Sequence, residues 1–287
     1  MNAIKKLFWV SRPISWINTS FPFAAAYYLA KGEINLTLII GTLFFLIPYN
    51  LLMYGINDVF DYESDLRNPR KGGIEGAVSE KKWHPLILWA STLSCLPFVI
   101  YLVAVGDGLA NFFLALFIFT VVAYSAKGLR FKEKPFLDSL TSASHFVGPM
   151  IYALALTKTS LMGNLIVIAA FTLWGMASHA FGAVQDVIAD REGGISSIAT
   201  YIGARTTTRL AFSSYALAGV LVLFLPFPGN LAILAAVPYL VILGPFWNIT
   251  DETCESANRG WKHFIKLNYL AGFVVTMLLI WLAIRSS

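Results

Sequence analysis

Long apolar segments separated by short polar ones run along almost the whole chain. A helix that crosses a bilayer needs about 20 mostly apolar residues, and about nine segments reach or approach that length. They are residues 14–30, 35–56, 85–106, 108–125, 137–157, 161–183, 208–226, 230–249 and 263–284. Several contain proline or glycine, which helices in a bilayer tolerate when neighbouring groups satisfy the backbone. The pattern predicts an all-α, polytopic membrane protein with about nine transmembrane helices.

The composition agrees with a membrane protein and excludes a soluble one. Of the 287 residues, 57% are hydrophobic and 13% are charged, and the mean hydropathy is +0.67. Soluble domains carry about 25% charged residues, so a soluble fold of this chain would expose far too much apolar surface. Cys95 and Cys254 form neither a disulfide framework nor a CxxC metal pair. We expect one domain over residues 1–287.

Lysine and arginine lie almost entirely on one side of the predicted membrane. All of the 21 basic residues except Lys31, Lys158 and Arg285 lie before the first predicted helix, or in or beside the loops after the second, fourth, sixth and eighth. Basic residues favour cytoplasmic loops. We therefore expect a multi-pass protein of the cell membrane whose N-terminus and long loops, including residues 57–84 and 184–207, are cytoplasmic. Topology explains the excess charge, and no nucleic-acid-binding motif accompanies it.

A block of acidic residues closes the second apolar segment, in LLMYGINDVFDYESD. Asp58, Asp61 and Asp65 are spaced i, i+3 and i+7, which puts them on one helix face with Asn57 adjacent. Ionised carboxylates this close repel one another unless a cation lies between them. Oxygen ligands suit Mg²⁺, which typically binds one or two carboxylates together with phosphate oxygens of a substrate. The alternative is a solvated acidic helix end.

A second acidic pair follows the sixth apolar segment, in AVQDVIADREGG. Asp186 and Asp190 are spaced i, i+4 on one helix face, with Gln185 before them and Arg191 after them. This helix end is predicted on the same side of the membrane as the first block, four helices further along the chain. Two carboxylate faces on one side of a bundle can hold two metal ions around a diphosphate.

A basic segment, AYSAKGLRF, follows the fourth apolar segment on the same side. It carries Lys127 and Arg130 beside Tyr124 and Ser125. Arginine binds phosphate through its planar guanidinium and lysine as a point charge. Beside two acidic motifs, these cations are candidates to hold a diphosphate. The alternative is that they only anchor the helix end in the cytoplasm.

The loop after the first acidic block is a candidate lid. It carries Arg67, Arg70 and Lys71, and its proline and paired glycines break helical structure. By closing over a bound phosphate, it would keep water away from a reactive intermediate. The alternative is a simple connecting loop.

Three of these segments resemble the motifs of the UbiA superfamily of intramembrane prenyltransferases. NDVFDYESD resembles the NDxxDxxxD motif of that superfamily, DVIADREGG its second aspartate motif, and YSAKGLR its YSxxKR-type motif, with two residues between Lys127 and Arg130. The resemblance covers essentially the whole chain. It implies an all-helical bundle around a central cavity that opens to lipid. It also implies Mg²⁺-dependent transfer of a prenyl group from a prenyl diphosphate.

Carried over residue by residue, the resemblance assigns roles to the motif positions. The residues that would bind the first metal ion are Asn57, Asp58, Asp61 and Asp65, and those for the second are Asp186 and Asp190. The residues that would line the diphosphate end are Tyr124, Lys127, Arg130, Arg191 and, before the first helix, Arg12.

The first motif departs from the pattern of many family members that act on aromatic rings. Those members have arginine after the second aspartate of the motif, where this chain has Tyr62. The stretch YESDLRNPRKGGIEGAV and the opening SRPISWINTSFPFAAAYYL instead resemble the lycopene elongase branch, which builds C50 carotenoids. That resemblance implies dimethylallyl diphosphate as the prenyl donor and lycopene, or another apolar molecule, as the acceptor.

Two other functions stay open. One is a prenyltransferase of the same fold that acts on an aromatic or quinone precursor, or on another lipid. The more remote one is a transporter, whose pathway would need polar residues across the whole membrane. The acidic residues of this chain lie mostly at helix ends on one side, which favours the enzyme.

Prenyl transfer through an allylic cation would make use of aromatic faces. The aromatic residues that flank the two acidic motifs are Tyr54, Phe60, Tyr62, Trp174 and Phe181. The alternative for each is packing against lipid or other helices. His179 lies seven residues before Asp186, two turns back on the same face, and is a candidate to face the cavity. Its alternative is a structural hydrogen-bonding role.

Overall fold

Helices are the only regular secondary structure in the part of the chain that the computed structural model describes, residues 2–66 and 79–286. Within this part, the side chains of Ser64, Asp65 and Ser286 are not described. The predicted all-α class is confirmed. The candidate lid residues, Arg67, Arg70 and Lys71, lie outside the described residues.

The chain divides into two compact units. The first comprises Met1–Phe131 and Ser144–Leu161, and the second comprises Lys132–Ala143 and Met162–Ser287. The single domain expected over residues 1–287 stays a prediction, and the two units are treated separately below.

Within its described residues, the first unit contains seven helices and part of an eighth. They are α1 (Ala3–Val10), α2 (Trp16–Lys31), α3 (Leu36–Leu46), α4 (Pro48–Phe60), α5 (Tyr62–Asp65), α6 (His84–Val105), α7 (Gly108–Ser125) and the later part of α8 (Leu137–Leu156). Short 3₁₀ turns span Pro13–Ser15 and Lys81–Trp83. The core of this unit is aromatic: the ring centres of Phe23 and Tyr152 lie 6.0 Å apart, and those of Phe45 and Tyr49 lie 5.1 Å apart. Since lipid is as apolar as these rings, close packing rather than water exclusion holds such helices together.

In the described part of the second unit lie the first turns of α8 and seven further helices. They are α9 (Leu165–Val184), α10 (Val187–Glu192), α11 (Ile198–Ile202), α12 (Ala204–Val222), α13 (Ile233–Leu243), α14 (Asn258–Trp261) and α15 (Phe264–Ser286). Helices α9 and α12 pack along each other. The core contains the fully buried rings of Tyr215 and Tyr239, which stack with their centres 4.6 Å apart. Phe181 stacks on Phe264 with their ring centres 5.5 Å apart.

Six helical stretches of the described residues are long and apolar enough to cross a membrane. They are Leu36–Phe60, Lys81–Val105, Gly108–Ser125, Met162–Val184, Gly229–Phe246 and Phe264–Arg285. These stretches agree with an integral membrane protein, but the predicted number of nine is not confirmed. Of the remaining predicted segments, α2 has only 16 residues, and α8 and α12 contain many polar residues. The side of the membrane on which the N-terminus lies stays a prediction.

The predicted segment 35–56 is two helices, because Pro48 interrupts the backbone hydrogen bonds. Proline has no N–H to donate to the preceding turn, so α3 ends at Leu46 and α4 begins at Pro48. The side-chain amide of Asn50 donates to the carbonyls of Phe45 and Leu46 over 2.9 and 3.1 Å. These bonds satisfy carbonyl groups where the helical pattern stops. The break sets the direction of α4, which carries the first acidic block.

Candidate active site

The first acidic block lies at the C-terminal end of α4, and its two described carboxylates are buried. Asp58 lies in the last turn of α4 and Asp61 is its C-cap, whose amide donates to the carbonyl of Asn57 over 2.9 Å. Asp58 and Asp61 are 2% and 3% exposed as whole residues, and their side chains lie on one face. Asp65 belongs to α5, and its side chain is not described. Two helices, rather than the single one expected, carry the three aspartates because the turn at Asp61 ends α4.

Arg12, from the segment between α1 and α2, forms an ion pair with Asp58. The Nη2 atom of Arg12 lies 2.9 Å from Oδ1 of Asp58, and its guanidinium carbon lies 4.2 Å from the centre of the Tyr54 ring. The backbone of Arg12 is left-handed, with φ 50°, which costs a residue other than glycine about 1 kcal/mol or more. An aromatic ring and a carboxylate thus hold a strained arginine against the first acidic block.

The basic segment after α7 meets the same block at Asp61. The side-chain amide of Asn57 donates to the carboxylate of Asp61 and, over 2.9 Å, to the hydroxyl of Ser125. Nη2 of Arg130 lies 3.8 Å from Oδ1 of Asp61, and the backbone of Arg130 is also left-handed, with φ 41°. Two motifs that are far apart in sequence therefore converge within the first unit.

The other two predicted residues of the basic segment differ in their surroundings. Tyr124 is half-buried, and its ring meets that of His145 edge-on with the centres 5.2 Å apart. Lys127 is exposed on the turn that follows α7. The Tyr124 ring is therefore packed against another side chain, whereas the Lys127 side chain is exposed, and the diphosphate-binding role of both stays a prediction.

Lys6 is a further cation near the first block that the sequence analysis does not identify. It lies on α1 and is 6% exposed. Burial lowers the pKa of Lys6, and the opposing effect of the carboxylates of Asp58 and Glu80 is smaller. In the sequence Lys6 is indistinguishable from a basic residue that sets topology, because only the packing of α1 places it near Asp58.

The second acidic motif lies in the second unit, where α9 gives way to α10. Helix α9 ends at Val184, Asp186 is the N-cap of α10, and the Asp190 amide donates to the Asp186 carbonyl over 2.8 Å. The two aspartates are thus one helical turn apart. The carbonyl oxygen of the Gln185 side chain accepts a hydrogen bond from the amide of Asn258. This bond ties the start of the motif to α14.

Arg191, which follows the second motif, is bound within its own unit. Its guanidinium lies 2.6 Å from Oδ2 of Asp251 and donates to the carbonyl of Thr200 over 3.0 Å. The other oxygen of Asp251 accepts the amide hydrogen of Ala204, at the start of α12, over 2.7 Å. Partial burial acts to raise the pKa of Asp251, but the Ala204 amide and Arg191 together lower it below its ordinary value. These contacts fix the loop around the motif, and the diphosphate-binding role of Arg191 stays a prediction.

The buried carboxylate of Asp138, which no sequence motif indicates, connects the start of α8 to the start of α11 within the second unit. Asp138, near the start of α8, accepts the amide hydrogen of Ile198 over 2.7 Å and that of Ser139 over 2.6 Å. The hydroxyl of Ser139 lies 3.1 Å from Nδ1 of His179. The predicted cavity residue His179 is thus connected to the loop after the second acidic motif. Nothing in the local sequence around Asp138 indicates this contact, because its partner is 60 residues away.

Most of the aromatic candidates pack against other side chains. Tyr54 lies under Arg12, as described above, and Phe60 is 39% exposed. The Tyr62 ring meets that of His84 edge-on at 5.1 Å. Trp174 packs against Phe171 at the edge of the second core, and Phe181 is fully buried in it. The role of all five in stabilising a cation stays a prediction.

The carboxylate oxygens of the two acidic motifs fit a Mg²⁺ ion that binds together with a phosphate ligand. Among the described residues, no three His, Cys, Asp or Glu side chains converge into a complete protein site for a metal ion. Each motif instead offers two carboxylates three or four residues apart. Mg²⁺ usually takes one or two carboxylates from the protein and completes its coordination with water and substrate phosphate. The buried pair Asp58 and Asp61 meets that requirement.

Comparisons with known proteins agree on one family. The model of the UbiA prenyltransferase family matches residues 19–270. A lycopene elongase/hydratase of Corynebacterium glutamicum is 53% identical over 98% of both chains. A C(50) beta-cyclic carotenoids biosynthesis protein, LbtBC, of a Dietzia species is 53% identical over 96% of this chain and 64% of its own length. A solved UbiA homolog from Archaeoglobus fulgidus, bound to DMAPP and Mg²⁺, has the same fold: the TM-score is 0.67 at 17% identity, covering 93% of this chain and 98% of that one.

Proposed function

Because this chain belongs to the UbiA prenyltransferase family, we propose that it transfers a dimethylallyl group from dimethylallyl diphosphate to lycopene in the synthesis of C50 carotenoids. The observation that carries the proposal is the 53% identity, over 98% of both chains, to a protein named lycopene elongase/hydratase. The C50 product class in the name of the Dietzia relative supports the same reaction.

We propose Mg²⁺ as the metal ion of this reaction. Asp58 and Asp61, with Asn57, would hold one ion at the first motif. Asp186 and Asp190 would hold a second ion at the second motif. Bound Mg²⁺ would draw negative charge onto the leaving diphosphate and so lower the barrier to breaking its bond to the prenyl carbon. The Archaeoglobus protein, described as bound to DMAPP and Mg²⁺, supports this class of ligands.

Arg12 and Arg130 would bind the diphosphate. Each guanidinium already faces a carboxylate of the first block, at 2.9 Å from Asp58 and 3.8 Å from Asp61 respectively. Cations that are in place before the reaction stabilise the charge that develops on the leaving group without a further cost of reorganisation. Lys127, exposed on the turn after α7, would add a mobile point charge.

The acceptor step follows from the chemistry of an allylic cation. The π electrons of a terminal double bond of lycopene form the new carbon–carbon bond, which leaves a tertiary cation on the carotenoid. This cation either loses a proton and becomes an alkene, or takes up water, loses a proton from it and becomes an alcohol. The word hydratase in the name of the Corynebacterium relative supports the uptake of water.

Product mass tests the proposal. The wild-type protein and an Asp58→Asn variant would be expressed separately in cells that accumulate lycopene. The pigments would be extracted and their masses measured by mass spectrometry. We expect carotenoids heavier by one and two five-carbon units with the wild type only, and the added mass of water would reveal hydration. Unchanged lycopene beside well-folded wild-type protein would refute the acceptor assignment. The next acceptors to test would then be aromatic and quinone precursors, with longer prenyl diphosphates.

A further inference from the structure

A chain of hydrogen bonds in the second unit runs from α11 to the imidazole of His179. Asp138 is fully buried, and its Oδ2 accepts the amide hydrogen of Ile198, the first residue of α11. Its Oδ1 accepts the amide hydrogen of Ser139 and lies 3.2 Å from the Ser139 hydroxyl. That hydroxyl lies 3.1 Å from Nδ1 of His179. None of these residues belongs to the groups proposed to hold the diphosphate.

The directions of these bonds determine which imidazole nitrogen carries the proton. Both oxygens of Asp138 already accept amide hydrogens, so this side chain acts as an acceptor and the Ser139 hydroxyl donates to it. A hydroxyl has one hydrogen, so Ser139 must accept from His179 rather than donate to it. Nδ1 of His179 therefore carries the proton, and the basic lone pair of the ring lies on Nε2.

The position of His179 along α9 suits a reaction on the prenyl chain. His179 lies inside the apolar span Met162–Val184, and Asp186 follows the end of that span. Asp186 follows His179 by seven positions and lies just beyond the end of α9 at Val184; seven residues of continuous helix would span about 10 Å. A diphosphate held at Asp186 would leave its prenyl chain to extend into the apolar region where His179 lies.

We propose that His179 is the proton acceptor of the final step and that Ser139 and Asp138 position it; this inference rests on the proposed function. After the new carbon–carbon bond forms, Nε2 takes a proton from the carbon next to the tertiary cation, and the C–H electron pair becomes the new double bond. Alternatively, a water oxygen attacks the cation and Nε2 takes a proton from that water, which gives the tertiary alcohol. In both cases the imidazolium then returns its proton to solvent.

The His179→Asn variant separates this chemical role from a structural one. The side-chain amide of asparagine can replace Nδ1–H as the donor to Ser139, but it has no basic nitrogen. Purified wild type and variant would be given dimethylallyl diphosphate, Mg²⁺ and lycopene in detergent. Two quantities would be measured: diphosphate released, and prenylated carotenoid formed as alkene or alcohol. His263→Asn, which alters an exposed histidine just before α15, is the matched control.

We expect the ratio of carotenoid product to released diphosphate to fall about 100-fold in His179→Asn, since general bases typically contribute 10²–10⁴-fold. The control should keep the wild-type ratio. Ser139→Ala, which keeps the imidazole but removes its partner, should lower the ratio by a smaller factor and provides the test if His179→Asn does not fold. An unchanged ratio in a folded His179→Asn variant would overturn this inference but leave the proposed function standing. Wild-type protein that forms no C45 or C50 product would overturn the proposed function and, with it, the inference.

Discussion

The guanidinium of Arg12 and the carboxylate of Asp58 lie 2.9 Å apart, with side chains that are only 18% and 1% exposed. A buried ion pair adds little to stability compared with apolar residues of the same size, because both charges lose their hydration. Here the arginine also has a strained, left-handed backbone. Two such costs at one point are typical of a functional site, which supports the assignment of this pair to the binding of metal and diphosphate.

Replacing Asp58 by asparagine should abolish turnover while the protein stays folded. The amide keeps the size of the side chain and can still accept a hydrogen bond from Arg12, but it lacks the charge that binds a metal ion. We expect prenylated product to fall by about 100-fold or more, the scale seen when one electrostatic group is removed from an active site. Product formation per amount of folded, detergent-extracted protein is the measurement.

Asp107→Asn is the control for this variant. Asp107 caps the N-terminus of α7, where its carboxylate accepts the amide hydrogen of Ala110 over 3.0 Å. Asparagine is an equally good N-cap, so the turnover of the Asp107→Asn variant should equal that of the wild type. Asp58→Asn protein that keeps wild-type turnover would contradict the assignment of the first motif.

Mg²⁺ should raise the thermal stability of the purified protein, and Asp61→Asn should weaken that effect. A ligand that binds only the folded state at 100 times its Kd adds about 2.7 kcal/mol to the free energy of unfolding. The unfolding temperature would be measured over a series of Mg²⁺ and diphosphate concentrations. A chelator should remove both the stabilisation and the turnover. Full turnover in chelator would contradict the metal-dependent reaction.

The fold class could be predicted from the sequence because its signal is local. Uninterrupted apolar segments specify helices in a membrane wherever they lie in the chain. The break before Pro48 illustrates what a window of hydropathy misses: segment 35–56 is mostly apolar, but the missing N–H of one residue divides it into α3 and α4. The predicted number of nine spans is not confirmed for a similar reason, since α8 and α12 are helical but contain many polar residues.

The candidate site could be predicted only where its residues form motifs. The spacing of Asp58 and Asp61 is visible in four letters of sequence, whereas the contact of Arg12 with Asp58 joins residues 46 positions apart. Lys6 and Asp138 have no motif, because their importance comes from burial and from partners on other helices. Long-range packing of this kind is not encoded in local composition.

A methyl group added at Gly175 should destabilise the second unit. The Cβ atom of alanine there would lie 2.9 Å from Cβ and 3.0 Å from Cα of Ala143, so α8 and α9 would have to move apart. Overpacking of this kind costs about 1–3 kcal/mol. The measurement is the free energy of unfolding in detergent.

Gly272→Ala is the control, because nothing lies within 4 Å of the added atom and alanine favours helix by about 1 kcal/mol. Equal stability of the two variants would contradict the close approach of α8 to α9.

The stability contributed by the charge of Asp251 should disappear in acid. Its pKa is lowered in the folded protein by the Ala204 amide and Arg191, against the opposing effect of partial burial. A lowered pKa means that the charged form stabilises the fold. This stabilisation is fully present above the unfolded-state pKa, near 3.8, and is lost as the pH falls through the lower, folded-state value. Asp251→Asn keeps an oxygen for the Ala204 amide but removes the charge, so it isolates this effect.

The stability of Asp251→Asn should therefore fall below that of the wild type at pH 6, and the two should converge as the pH falls through the lowered, folded-state pKa of Asp251. The carboxylate is one-third exposed, so the difference at pH 6 should be about 0.2–1 kcal/mol, the range of partly solvated ion pairs. Unfolding in detergent at a series of pH values measures it, with Glu255→Gln, an exposed carboxylate of the same loop, as the control. A difference that stays the same as the pH is lowered would contradict a stabilising effect of the Asp251 charge.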